Sequence, residues 1–147
     1  MTARRTAHVT WDRDLRTGSG TVSGASGALG PTPVTWAART EEPGGKTSPE
    51  ELLAASQAAC FAMAFSSTLS KMSKPPERLS VDATCTFDKV GDAWKVTVME
   101  LNVTGQVPGL KEAEFAEAAR TAEKGCPISN ALRSNVEIRL NAHLGKP

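Results

Sequence analysis

Three cysteines carry most of what this sequence offers to chemistry, and each sits in a different setting. Cys126 lies between Gly125 and Pro127, at the expected N-cap of a short helix, where unpaired backbone amides favour a thiolate. From local physics alone it is the more activated thiol, although Gly-Cys-Pro also suits a turn filled by a small residue. Cys60 lies inside Ala58-Ala59-Cys60-Phe61-Ala62-Met63, and a thiol in such apolar surroundings stays protonated and inert unless a cation approaches it. Cys85 falls on the apolar face of an alternating segment and is expected in the core, because cysteine is among the most buried residue types. Other catalytic arrangements have little support. The two histidines, His8 and His143, belong to no motif, so a cysteine–histidine pairing is not expected. Neither CxxC nor HExxH occurs, which argues against a metal site. Gly18-Ser19-Gly20 has no helix behind it to cradle a phosphate.

The elements that must position these thiols follow from turn residues and periodicity. Thr6 to Arg16 and Gly20 to Ser23 read as a hairpin around Thr17-Gly18-Ser19, and Val34 to Thr40 reads as a third strand after Pro31 and Pro33. Glu41 to Lys46, with Pro43-Gly44-Gly45, is a loop. Ser48, Pro49 and Glu51 then form a capping box that starts a helix, which runs to about Met72 before Pro75-Pro76 stops it. From Leu52 to Leu69 this helix has no charge and is apolar on nearly every face, so it should be wrapped by sheet or by a second chain. Leu79 to Asp88 alternates with period two, Gly91-Asp92 turns the chain, and Trp94 to Val107 completes a long hairpin. Leu110 to Lys124 is an amphipathic helix with Leu110, Phe115, Ala118, Ala119 and Ala122 inward. A short helical turn runs from Pro127 to Leu132, and Asn135 to Leu144 closes as a strand. Trp11, Trp36 and Trp94 fall on strands, as core or interface anchors. The order β-β-β-α-β-β-α-β is an α+β fold with antiparallel sheets around a central helix, and the apolarity of that helix hints at an obligate dimer.

Composition bounds the function. The 147 residues carry 17 basic and 16 acidic side chains, a net charge of +1, which disfavours a nucleic-acid partner. Length suits a single domain over residues 1–147. Three cysteines are too few and too odd for a disulfide scaffold, and the expected setting is the cytoplasm with thiols reduced. The least polar run, Leu52 to Phe65, is shorter than the ~20 residues of a membrane span, so no membrane partner is expected.

Three segments have a family likeness. Lys46-Thr47-Ser48-Pro49-Glu50-Glu51-Leu52, then Ala58-Ala59-Cys60-Phe61, then Gly125-Cys126-Pro127-Ile128-Ser129 resemble the OsmC/Ohr family of thiol peroxidases, with the same order of elements from about His8 to Leu144. The resemblance implies a peroxidase that reduces organic hydroperoxides, and often hydrogen peroxide, and an intertwined homodimer whose central helices are enclosed by both chains. By position, Cys60 matches the peroxidatic cysteine and Cys126 the resolving one. Glu50 matches the active-site carboxylate, and Arg39, in Trp36-Ala37-Ala38-Arg39-Thr40, matches the arginine that ends the third strand in the OsmC branch. In the Ohr branch that arginine follows two glycines of the first hairpin, where this chain has Gly18-Ser19-Gly20; Arg16 nearby is the competing arginine. The resemblance implies no cofactor or metal, and it implies an external dithiol of the lipoyl type as the reductant. Two other readings use the same fold without turnover: a binder of apolar ligands, which keeps its thiols in the presence of peroxide, and a redox sensor.

Overall fold

The computed structural model describes residues 1–146, which divide into two compact units, Met1–Leu52 and the residues from Leu53 onward. The first unit is built on β1 (Ala7–Asp12), β2 (Ser19–Gly24) and β3 (Thr32–Val34), an antiparallel sheet in the order β1-β2-β3. β1 ends at Asp12, short of Arg16, the expected end of the hairpin's first arm. Asp14 accepts from the Arg16 and Thr17 amides, both at 2.9 Å, and from the Thr17 hydroxyl at 2.7 Å. That side-chain turn, with Arg13 at φ 72°, takes the backbone out of the strand.

The third strand expected over Val34 to Thr40 is a correction. Only Thr32–Val34 pairs, and Trp36–Thr40 is a short helix, α1. Thr35 caps it by accepting from the Ala38 amide at 3.1 Å, and two alanines favour helix once that cap is formed. Arg39 and Trp36 therefore sit on a helix and not on a strand.

α2 (Pro49–Lys71) starts where the capping signal puts it. Ser48 accepts from the Glu51 amide at 3.1 Å, but the Glu51 carboxylate takes the Thr47 hydroxyl at 2.6 Å in place of the reciprocal bond. The helix is 23 residues long and, by length and composition alone, apolar enough to cross a membrane, which the shorter run read from the sequence did not suggest. Its burial is one-sided. Gln57, Phe61, Phe65 and Leu69, four apart, are fully buried, whereas Ala55, Ala59 and Ser67 are exposed and Met63 is 69% exposed. Within one chain the helix is thus not enclosed all round.

In the second unit β4 (Arg78–Val90) and β5 (Ala93–Gln106) form the long hairpin, with Gly91 at φ 62° in its turn and a register shift between Thr86 and Phe87. α3 (Glu112–Gly125) and α4 (Pro127–Leu132) follow, and β6 (Glu137–Leu144) pairs with β5 in parallel. The sheet is therefore mixed, not antiparallel throughout, and the long connection through α3 and α4 supplies the crossover that a parallel pair needs. The core collects Phe61, Phe65 and Leu69 of α2, Leu101 and Val103 of β5, and Phe115 of α3. The Phe65 ring lies 5.5 Å from that of Phe61 and 4.9 Å from that of Phe115, centroid to centroid, in the tilted range that aromatic pairs favour.

Gly105 of β5 makes room for this cluster. A methyl group there would fall 2.5 Å from Phe115 Cζ, so Gly105→Ala should cost about 1–3 kcal/mol through overpacking. The expected sign is a lower urea midpoint with an unchanged slope.

Candidate active site

Two pairs of sequence-predicted residues are brought together, one in each unit. In the first, Arg39 of α1 meets Glu50 in the first turn of α2. Arg39 Nη2 donates to Glu50 Oε1 at 2.8 Å, and Nε lies 3.1 Å from both carboxylate oxygens. The Glu50 side chain is only 8% exposed against 31% for Arg39, so the carboxylate is buried under the guanidinium fork that pairs with it. Trp36, one turn earlier on α1, has its ring 5.9 Å from the guanidinium carbon. The same unit holds a cavity of about 560 Å3 lined by Val9, Trp11, Val22, Val34 and Leu52, with Arg39 in its wall. An apolar hollow with a single cation at its edge suits a small organic molecule with one polar end. Arg39, not Arg16, is the arginine that pairs with Glu50.

In the second unit Cys60 of α2 and Cys126, which ends α3 and caps α4, place their sulfurs 3.1 Å apart. Cys60 is half-buried and Cys126 fully buried. The two thiols differ in acidity. Burial pushes Cys60 up from its ordinary value, with the neighbouring Cys126 adding to the rise and the Ile128 amide opposing it. Burial also opposes ionisation of Cys126, but the Ser129 amide, the Cys60 thiol, the Ser129 hydroxyl and the Ile128 amide outweigh it and hold this thiol below its ordinary value. The greater acidity expected for Cys126 from its place beside Pro127 is thus present in the fold.

Cys85, expected in the core, is instead half-buried on β4 and lies outside the buried cluster. His8 is exposed on β1, and His143 of β6 sits on the surface 3.0 Å from Glu112. Trp94 stacks on Phe87 at 4.9 Å and remains 45% exposed. Among the described residues no group of three or more His, Cys, Asp and Glu is placed to hold a metal ion. Two residues around the thiols escaped the sequence reading. Gln57 and Ser129 are both fully buried, and Gln57 Nε2 donates to Ser129 Oγ at 2.8 Å and lies 3.8 Å from Cys126 Sγ. A signal for them existed: each stands three residues from a cysteine on the same helical segment, and Gln57 is the one amide in an otherwise apolar run.

Two thiols in contact can interconvert between dithiol and disulfide, which is the chemistry of dithiol redox proteins. Its lineage is more specific. Residues 42–141 match the family model described as OsmC-like protein. Peroxiredoxin OsmC of Escherichia coli is 34% identical over 138 residues, covering 94% of this chain and 96% of its own length. The organic hydroperoxide resistance protein of Xanthomonas axonopodis pv. citri is 34% identical over 98 residues, 66% of this chain and 67% of its own. Among solved structures, the organic hydroperoxide resistance protein OhrB of Bacillus subtilis aligns with a TM-score of 0.73 at 25% identity, covering 93% of this chain and 97% of that one. The chain belongs to the OsmC-like family.

Proposed function

We propose that this protein is a cysteine-based peroxidase that reduces organic hydroperoxides, and hydrogen peroxide as well, through Cys60 and Cys126. The observation that carries the reading is the 3.1 Å contact between the two sulfurs, which lets one thiol capture the oxidised form of the other without a large movement. Cys60 attacks the O–O bond as a thiolate, the leaving alkoxide takes a proton, and Cys60 is left as a sulfenic acid. The Cys126 thiolate then displaces hydroxide to give the disulfide, and an external dithiol of the lipoyl type returns both thiols by exchange. Burial opposes the Cys60 thiolate, so a cation must offset it. Arg39 fills that role, donating also to the peroxide oxygens as charge builds on the leaving group, while Glu50 fixes the guanidinium fork. The apolar cavity beside Arg39 supports an organic substrate over a small polar one.

Glu50 and Cys60 lie ten residues apart on α2, ~15 Å along a helix at 1.5 Å per residue. We therefore place the working site at a dimer interface, where the Arg39–Glu50 pair of one protomer serves the partner's Cys60. The exposed strip Ala55, Ala59 and Met63 on α2 supports that assembly, since a second copy would cover it. A cytoplasmic setting, which keeps such thiols reduced, suits the cycle. Counting thiols before and after one equivalent of an organic hydroperoxide tests the reading. Two thiols should be lost per chain and regained with dithiol; an unchanged count would leave an apolar-ligand binder in its place.

A further inference from the structure

Gln57 is the polar residue that packing does not ask for. It is fully buried on α2, its Oε1 has no hydrogen-bond partner, and a leucine would fill a similar volume without stranding a carbonyl. What the amide does instead is donate. Its Nε2 gives a hydrogen bond to Ser129 Oγ at 2.8 Å and lies within bonding reach of Cys126 Sγ at 3.8 Å. Ser129 is itself fully buried, three residues after Cys126 on α4. A hydroxyl whose oxygen already accepts from an amide keeps its own proton to give, and Ser129 stands beside Cys126 on the same amide donor, Gln57, its hydroxyl being among the groups that hold this thiol below its ordinary value. The result is a buried set of donors, the Gln57 amide and the Ser129 hydroxyl, gathered at Cys126 and closed off from water.

We propose that Gln57 and Ser129 are positioning residues for Cys126, whose donors settle negative charge on that sulfur and so decide which sulfur leaves when the Cys60–Cys126 disulfide is opened. The proposal rests on the peroxidase reading for the identity of the disulfide, and on the buried donors for its polarity. During oxidation the Cys126 thiolate supplies the electron pair that forms the S–S bond, and hydroxide leaves Cys60. During reduction a thiolate of the external dithiol bonds to Cys60 Sγ, the S–S bond breaks, and its electron pair goes to Cys126 Sγ, which the donors receive. The second thiol of the reductant then attacks the first reductant sulfur and releases Cys60 as a thiolate. Exposure agrees with this direction, since Cys60 is half-buried and Cys126 fully buried. A better-stabilised thiolate is the better leaving group, so the incoming sulfur is directed to the opposite one.

Two measurements test the proposal. In the Cys60→Ser, Cys85→Ser protein Cys126 is the remaining thiol, and its ultraviolet thiolate absorbance can be followed against pH. Adding Gln57→Leu or Ser129→Ala should move the midpoint up by about one pH unit, ~10-fold less thiolate at a given pH below it. A midpoint unmoved in both variants overturns the proposal, and Ser129→Ala decides it alone if Gln57→Leu does not fold. Separately, the wild-type disulfide is made with diamide and opened with a labelled monothiol, then quenched in acid and mapped by peptide mass spectrometry. The label should sit on Cys60; a label on Cys126 overturns the assigned direction. Neither measurement uses a peroxide, so a wild type that fails to react with hydroperoxide would remove the peroxidase reading and leave both of these results standing.

Discussion

Cys60→Ser should abolish dithiol-dependent hydroperoxide consumption, a fall of ~10^4-fold or more, because a serine hydroxyl is not ionised near neutral pH and is a poor nucleophile toward an O–O bond. The contrast with Cys126→Ser is what makes the experiment informative. That variant keeps the attacking sulfur and should still remove one equivalent of peroxide in a single turnover. Its sulfenic acid then lacks the Cys126 thiol that lies 3.1 Å away in the wild type and should advance to sulfinic acid under excess peroxide, visible as a mass increase on the Cys60 peptide. The structure adds a twist to this pair of results, since Cys126 is the more acidic thiol at rest and Cys60 is pushed up by burial. If acidity alone chose the nucleophile, the roles would reverse and Cys126→Ser would be the inactive protein. Full activity in Cys60→Ser would overturn the assignment.

The second large effect concerns Arg39. Arg39→Met should slow the first oxidation step by ~10^2- to 10^3-fold, the loss expected when one preorganised donor to a developing oxyanion is removed. The variant should also lose stability, by about 1–3 kcal/mol, because Glu50 is left as a buried carboxylate without its guanidinium. That figure is held below the range for fully buried pairs, since Arg39 is itself 31% exposed. Mixing decides between one chain and two. If the Arg39–Glu50 pair serves the partner's Cys60, equal amounts of Arg39→Met and Cys60→Ser protein, unfolded and refolded together, should regain about a quarter of wild-type activity from the complete site in each mixed dimer. If the site is built within one chain, the mixture should remain as inactive as its components.

Much of the frame was legible in the residues, and the failures have identifiable physics. Ser48-Pro49 marked the start of α2, Pro75-Pro76 its end, and the alternation from Leu79 onward gave the long hairpin, because capping, proline and period-two signals are local. Trp36-Ala37-Ala38-Arg39-Thr40 misled: an aromatic and a β-branched residue frame it, yet the Thr35 cap makes five residues helical. The direction of β6 is not local information: a connection through two helices can return a strand either way, and the tertiary fold makes this one parallel. The apolarity of α2 suggested a helix enclosed on every face, whereas this chain covers the Gln57-Phe61-Phe65-Leu69 face alone, because composition does not say what packs against each side. The site divides in the same way. Cys126 before Pro127 announced its own acidity, whereas the contacts of Cys60 with Cys126 and of Arg39 with Glu50 join residues through the tertiary fold, and no spacing rule pairs them. They entered through family likeness. Gln57 and Ser129 were visible as polar residues one helical turn from a cysteine, and what hid them was the bulk of apolar neighbours.

The parallel partner of β5 also sets an order of events during synthesis. Once the hairpin has formed, β5 has β4 along one side and a bare backbone edge along the other, next to the apolar side chains Met99, Leu101 and Val103. Nothing in the chain made so far can seal that edge; residues 107–136 must emerge and fold across the sheet before β6 arrives. An unsealed edge beside apolar side chains is a template for pairing with another chain, and crossovers of this kind are slow to close. The nascent protein therefore passes through a stage in which its most hydrophobic strand is its least protected, and the same cluster of Phe65 and Phe115 that later stabilises the fold is what draws the crossover down to end it.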